Sequence, residues 1–205
     1  MSAGLGRSRA LALLRRRDRW TREEELAGRT PPVREQVKRL AEWAGVRLDA
    51  EALADRLDRT LLQATVRAAP GARSAVRALD RAGIPLGVVS NVLNESGHVA
   101  RSLLERLGLL SHFRAVVLSC EHPWAKPAPE PFALACRFLG VPPAQAAHIG
   151  DLEYDLRGAT SAGMTAWWYD GLRRWNRYLP GQVDPRRIPA ARTIRSWRDV
   201  PPRFG

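Results

Sequence analysis

Lysine is almost missing from this chain. Only Lys38 and Lys126 are lysines among 33 basic residues. The rest are arginines, spread along the sequence apart from the run Arg15, Arg16 and Arg17. The net charge of +12 and a pI near 11.2 raise nucleic acid as a partner. No basic stripe with interleaved aromatics occurs, however, so a nucleic-acid surface is not expected. The charge reads instead as an arginine bias that attracts small anions. Cysteine is nearly as scarce. Cys120 and Cys136 are too few for a metal cluster and fit free thiols in a reducing cytoplasm. Cys136 lies on a helical pattern and is expected in the core. Long apolar runs are absent as well: nothing approaches the roughly 20 residues of a membrane span. The segment Met1 to Arg17 is basic but has neither a long apolar stretch nor a small-residue cleavage site, so no secretory signal is read there. Internal repeats and low-complexity segments are also missing.

Hydrophobic residues nonetheless make up 45% of the 205 residues, enough for one buried core with a small appendage. Residues 1–68 read as helices only. Thr21-x-x-Glu24 has the form of a capping box. Thr30-Pro31 opens a second helix with Val33, Val37, Leu40 and Trp43 on one face and Gly45 past its end. Asp49 caps a third, carrying Leu53, Leu57 and Leu61. Residues 69–170 alternate helix and strand. Pro70-Gly71 opens a helix ended by Gly83, and Ile84 to Val89 is an apolar run suited to a parallel strand buried on both faces. Further strands are expected at Ala115 to Leu118, Ala146 to Ile149 and Met164 to Tyr169. Helices around Val99–Leu107, Phe132–Leu139 and Leu156–Ala162 separate them. The pattern is that of an α/β domain, a parallel sheet with helices on both faces. The tail, 171–205, is rich in Pro and Arg, with a possible edge strand at Thr193 to Trp197.

In open parallel sheets, ligands bind beyond the carboxyl ends of the strands. Ser90 and Asn91 follow the first expected strand. Ser119, Cys120 and Glu121 follow the second, with Lys126-Pro127 soon after. Gly150-Asp151 follows the third, with Asp155 four residues on. Hydroxyl, amide, ammonium and two carboxylates thus converge on one rim. Phosphoryl transfer needs such groups, because it relies on positioning and charge stabilisation. Ser90 can donate to a phosphate oxygen. Lys126 can neutralise phosphate and a neighbouring carboxylate. Asp151 can bind a hard cation such as Mg²⁺ through oxygen, and Asp155 can bind the same ion or orient its waters. Each residue also has a plain structural reading: a strand-end turn for Ser90-Asn91, a surface charge for Lys126, a helix cap for Asp151. Glu121 is expected to be structural, and His148 packed rather than catalytic.

Order and spacing together resemble the haloacid dehalogenase superfamily, over about Pro70 to Asp170. Val88-Val89-Ser90-Asn91 is similar to the family's second motif. Lys126-Pro127-Ala128-Pro129-Glu130-Pro131-Phe132 looks like its third. His148-Ile149-Gly150-Asp151-Leu152-Glu153-Tyr154-Asp155 looks like its fourth. The resemblance implies a Rossmann-like three-layer core with an N-terminal helical cap over residues 1–68. It implies a cytoplasmic, Mg²⁺-dependent hydrolase of a small phosphorylated metabolite. Ser90 and Lys126 would be catalytic, Ser90, Asn91 and Lys126 would bind substrate, and Asp151 and Asp155 would be metal ligands. Carbon–halogen hydrolysis is the alternative chemistry within the family, and a non-catalytic binding protein the alternative outside it.

One part of the family's pattern is missing. Its first motif is an apolar strand ending in D-x-D-x-T, whose first Asp attacks phosphorus to form an aspartyl phosphate and whose second acts as general acid and base. No D-x-D occurs anywhere in this sequence. Asp55-Arg56-Leu57-Asp58-Arg59-Thr60 has Arg56 at the nucleophile position inside a helical pattern. The stretch ending at Asp18 has Arg16 there. The expected explanation is an N-terminal truncation of about 15 to 20 residues; loss of the nucleophile in a pseudoenzyme is the other. In the family that strand lies between the strands expected here at 84–89 and 146–149. Its absence should leave their ladder groups unpaired or force the two together, at roughly 1–3 kcal/mol per buried unpaired group.

Overall fold

The structure, a computed structural model, describes residues 6–171, 188 and 192–200. Three helices come first: α1 (Arg7–Leu26), α2 (Val33–Ala44) and α3 (Ala50–Gln63). No Gly or Pro interrupts Arg7 to Leu26, and Ala, Leu, Arg and Glu dominate it, so helix propagates through the whole stretch until Gly28 turns at φ 81°. Thr21 therefore does not cap a helix. It lies inside α1, and its hydroxyl donates back to the Asp18 carbonyl at 3.2 Å. Glu24, expected as the other half of that cap, accepts from Arg29 at 2.8 Å and from the Trp20 indole at 3.0 Å. The second helix starts at Val33 rather than at Pro31, and its buried stripe is Gln36, Val37, Ala41 and Ala44. Asp49 caps α3 as its residue type predicts, accepting from the Ala52 amide at 3.0 Å. Leu57, placed on the apolar face of that helix by its spacing, is exposed.

The remainder alternates: α4 (Ala72–Arg81), β1 (Gly87–Ser90), α5 (Gly97–Arg106), β2 (Ala115–Leu118), α6 (Glu130–Leu139), β3 (Ala147–Gly150), α7 (Glu153–Ser161), β4 (Thr165–Tyr169) and β5 (Arg192–Ile194). All strand pairs are parallel. β1 begins three residues later than the apolar run does, since Pro85 has no amide for a ladder. The run at 193–197 supplies an edge strand, β5, shortened to Arg192–Ile194 and paired with β4. The rest of the tail prediction lies outside the described residues.

The strands form two sheets, β1-β2 and β3-β4-β5. Two apolar clusters join them. Phe132 of α6, Leu156 and Ala159 of α7, and Ala166 and Trp168 of β4 form one, with Val89 of β1 packed against it. Leu79 of α4, Trp167 and Tyr169 of β4, and Ile194 of β5 form the other, with Leu86 and Ile149 packed on. Alternate residues of β4 thus face opposite layers, as a strand covered on both sides must. β1 and β3 belong to different sheets, and Lys126 joins them across a seam, from the Val89 carbonyl of β1 to Asp155 just beyond β3. Neither β1 nor β3 has a strand partner on its inner edge among the described residues. Every residue of β1 and β3 is at least part-exposed, whereas β2 and β4 are mostly buried. Among the described residues β1 and β3 do not pair with each other, so the two strands are not forced together.

Candidate functional site

The seam's C-terminal end is where the site residues meet. Ser90 is the last residue of β1, and Asn91 follows it. The Asn91 amide is fully used. Its Nδ2 donates to the Lys126 carbonyl at 3.0 Å and to Glu25 Oε1 at 3.1 Å, and its Oδ1 accepts from the Lys126 amide at 2.9 Å. Asn91 therefore ties the end of β1 to the Lys126 loop and to α1. It positions the pocket wall, and offers a substrate less than its place in the motif implied. The next residue, Val92, is held by Ser119 after β2, whose hydroxyl accepts its amide at 2.8 Å.

Lys126 is buried, and its Nζ donates to the Val89 carbonyl at 3.0 Å and to Asp155 Oδ1 at 2.6 Å. It bridges the seam, from β1 to the first turn of α7. Asp155 is buried too. Its Oδ2 accepts the Leu152 amide at 3.0 Å, and His148 Nε2 stands 3.4 Å from Oδ1. Burial alone would raise the Asp155 carboxyl, but the Lys126 charge and His148 overcome it and hold the carboxyl below its usual range. Gly150 makes room for this carboxylate: a Cβ there would meet Asp155 Cβ at 2.2 Å. Asp151 is shifted the other way, raised by burial and by the negative charge of Asp155. His148 is packed as expected, edge-on to Phe132 at 4.8 Å between ring centroids, yet it also reaches Asp155. Glu121 is structural as expected: it pairs with Arg101 of α5, and a Cβ on Gly97 would collide with it. Cys136 is a buried free thiol, and Cys120 is also free.

Three residues at this site escaped the sequence reading. Glu25, in the last turn of α1, is buried against Asn91; burial raises its carboxyl, opposed by the Asn91 hydrogen bond and by Arg22. Tyr154 lies under two cations. Lys126 Nζ is 5.6 Å from its ring centroid, and the Arg22 guanidinium carbon 5.7 Å. Burial and the surrounding acids Glu25, Asp155 and Asp151 keep its phenol protonated far into the alkaline range. Arg22 pairs loosely with Glu153, at 3.8 Å. Tyr154 sits inside the motif already singled out. Arg22 and Glu25 belong to a run of charges on a helix, where nothing in the sequence marks the inward face.

Magnesium chemistry asks for hard oxygen donors, and Mg²⁺ is ordinarily held by one or two carboxylates together with waters and substrate phosphate. Asp151 fits that role, since a neighbouring cation would relieve the burial and repulsion that raise its carboxyl. Asp155 fits less well as a direct ligand, because the Lys126 ammonium and the Leu152 amide already occupy its oxygens. Among the described residues no group of three His, Cys, Asp or Glu side chains is placed to hold a metal. Neither stretch weighed for the missing motif brings its acid to the site: Asp58 accepts the Ser96 amide at 3.1 Å, and Asp18 is exposed beside Arg17. A recess lined by Glu105, Gly108, Leu110 and Ser111 lies at the C-terminal end of α5, away from all these groups.

The chain is 35% identical over 154 residues to a phosphoserine phosphatase from Thermus thermophilus, a match covering 73% of the chain and 60% of the relative. It therefore spans well under two thirds of that protein's length. Among solved structures, a HAD phosphatase from Thermococcus onnurineus superposes with a TM-score of 0.57 at 25% identity, over 80% of this chain and 67% of that one. A 2-haloacid dehalogenase from Pseudomonas syringae pv. Tomato superposes with a TM-score of 0.59 at 27% identity, over 80% and 66% of the two chains. The family model for haloacid dehalogenase-like hydrolases matches residues 6–163. Two parallel sheets between helical layers, three motifs converging on Lys126 and that match together place the chain in the haloacid dehalogenase-like hydrolase family.

Proposed function

We propose that the chain forms the body of a cytoplasmic, Mg²⁺-dependent phosphatase of a small phosphorylated metabolite, with α1–α3 as its cap and without the aspartate that would attack phosphorus. The observation that carries this reading is the bridge made by Lys126: a buried ammonium spanning the seam, on Asp155 at 2.6 Å, in the same motif as Asp151. The phosphatase names of relatives support the phosphoester over the carbon–halogen bond. In this reading the Ser90 hydroxyl donates to a phosphate oxygen and Lys126 stabilises charge on the transferring group. Asn91 fixes the pocket wall, and Asp155 holds Lys126 in place. Asp151 would hold Mg²⁺, which when bound neutralises phosphate charge and orients the group for in-line displacement. No residue of this chain is assigned the covalent step.

Hydrolysis of p-nitrophenyl phosphate with Mg²⁺ tests the proposal on two proteins: this chain, and the chain preceded by an apolar strand ending in D-x-D-x-T. The chain alone should show no turnover above background. The extended protein should turn over and lose activity on chelation. Strong turnover by the chain alone would sink the account of the missing nucleophile. Turnover of a 2-haloacid that survives chelation would favour the dehalogenase reading instead.

A further inference from the structure

Helices α1 and α2 build together what neither carries alone. Trp20 of α1 and Trp43 of α2 meet edge to face, 6.1 Å apart between ring centroids. The Arg16 guanidinium lies 4.2 Å over the Trp43 ring, and that of Arg39 lies 4.8 Å over Trp20. The Trp20 indole donates to Glu24 at 3.0 Å, which fixes its ring. Cation and ring thus alternate across the helix pair: Arg16, Trp43, Trp20, Arg39. This is the interleaving that the sequence does not show, because the two tryptophans stand on different helices. Arg16 is exposed, and both rings keep part of their surface open. Arg15 and Arg19 are exposed beside Arg16, and among the described residues none of these three forms an ion pair. Like charges this close on a helix repel one another, and phosphate would relieve them. Nine residues separate Arg16 from Glu25, which sets them about half a turn apart around α1. The stack therefore lies on the opposite side of α1 from the contact with Asn91.

We propose that this face of α1 and α2 binds single-stranded nucleic acid. Unpaired bases stack on aromatic rings and on the flat side of a guanidinium, and Arg16 over Trp43 offers such a surface. Arg15 and Arg19 pair with the neighbouring phosphates. A single strand is favoured over a duplex, whose bases present only their edges in the grooves. It is favoured over a lipid surface because Leu14, the exposed apolar residue two positions from Arg16, points about 160° away from it around the helix. The net charge of +12 acts at longer range and draws a polyanion to the chain. This surface is separate from the Lys126 site and does not depend on the phosphatase reading.

The test is fluorescence anisotropy with three labelled probes: an oligothymidylate of about twelve nucleotides, an abasic strand of the same length, and vesicles of phosphatidylglycerol. The parent chain should bind the oligothymidylate most tightly, and the abasic strand at least about fivefold more weakly, since it has the phosphates without the bases. Arg16→Lys keeps the charge and loses the planar group. It should weaken the oligothymidylate by about fivefold to a hundredfold, the range for one lost stacked base, and leave the abasic strand within about twofold. Trp43→Leu removes the ring beneath and should show the same selective loss; the exposed Arg16 variant keeps the test decisive where Trp43→Leu fails to fold. Arg77→Gln removes an exposed charge from α4 and should leave both strands within about twofold. Millimolar inorganic phosphate at fixed ionic strength should not displace the oligothymidylate. Equal binding of the two strands, no binding, no loss in Arg16→Lys, the same loss in Arg77→Gln, displacement by phosphate, or tighter binding to the vesicles would each overturn the proposal.

Discussion

Lys126 and Asp155 form a buried ion pair whose two halves depend on each other. Side-chain exposure is 10% for the lysine and 4% for the aspartate, so water screens neither well. Removing one partner of such a pair leaves a buried charge uncompensated, at a cost of about 3–5 kcal/mol, while replacing both by apolar groups is often nearly neutral. Lys126→Met should therefore destabilise the chain by about that amount in urea unfolding. Adding Asp155→Leu should recover part of the loss, and a simple sum of the two single effects would show that the pair is not coupled. Glu25 is the opposite case. Its folded-state carboxyl is raised above the ordinary 4.5, chiefly by burial. The folded chain then holds this proton more tightly than the unfolded chain, so the contribution favours folding at low pH and is lost as pH rises above 4.5 through the folded value. Glu25→Gln keeps an oxygen for Asn91 and cannot ionise. It should melt at a higher temperature than the parent at pH 7 and lose that advantage at pH 4; an unchanged melting curve at pH 7 would refute the assignment.

At the scale of elements, the seam between β1 and β3 is the weakest joint of the core. Lys126 caps one ladder carbonyl, that of Val89, but the inner edges have no neighbouring strand among the described residues. Such edges resemble the exposed borders of a sheet. In native-state hydrogen exchange, inner-edge amides of Gly87–Ser90 and Ala147–Gly150 should exchange within the local-opening regime. Trp167 and Trp168 of β4, paired on both sides, should exchange only with global unfolding. Equal protection in the two sets would mean that something else covers the seam. Elements were legible in the sequence where period and punctuation agreed, as in α6, whose apolar run ends at Gly140 in the left-handed region. They were misread where a local signal competed with a longer-range one. Thr21-x-x-Glu24 has the letters of a capping box, but unbroken helix formers upstream carry α1 straight through it.

For the whole molecule, three motifs in order at three strand ends made the family readable, because the carboxyl ends of parallel strands must share one rim. On the same grounds Ser90, Lys126, Asp151 and Asp155 are expected on one rim, and Lys126 and Asp155 do meet. That Asp155 gives its oxygens to Lys126 and the Leu152 amide is not legible in the sequence. Nor are Glu25 and Arg22, because which side of α1 faces the core depends on how that helix docks, not on its own charges. The sequence by itself determined the alternation of elements, the motif residues and the absence of D-x-D, since these follow from residue type and spacing. Only the tertiary structure decided that β1 and β3 remain unjoined, that Lys126 spans the seam between them, and that an arginine from α1 leans over Tyr154. Those are relations between segments far apart in the chain, set by packing and by the need to pair buried charge.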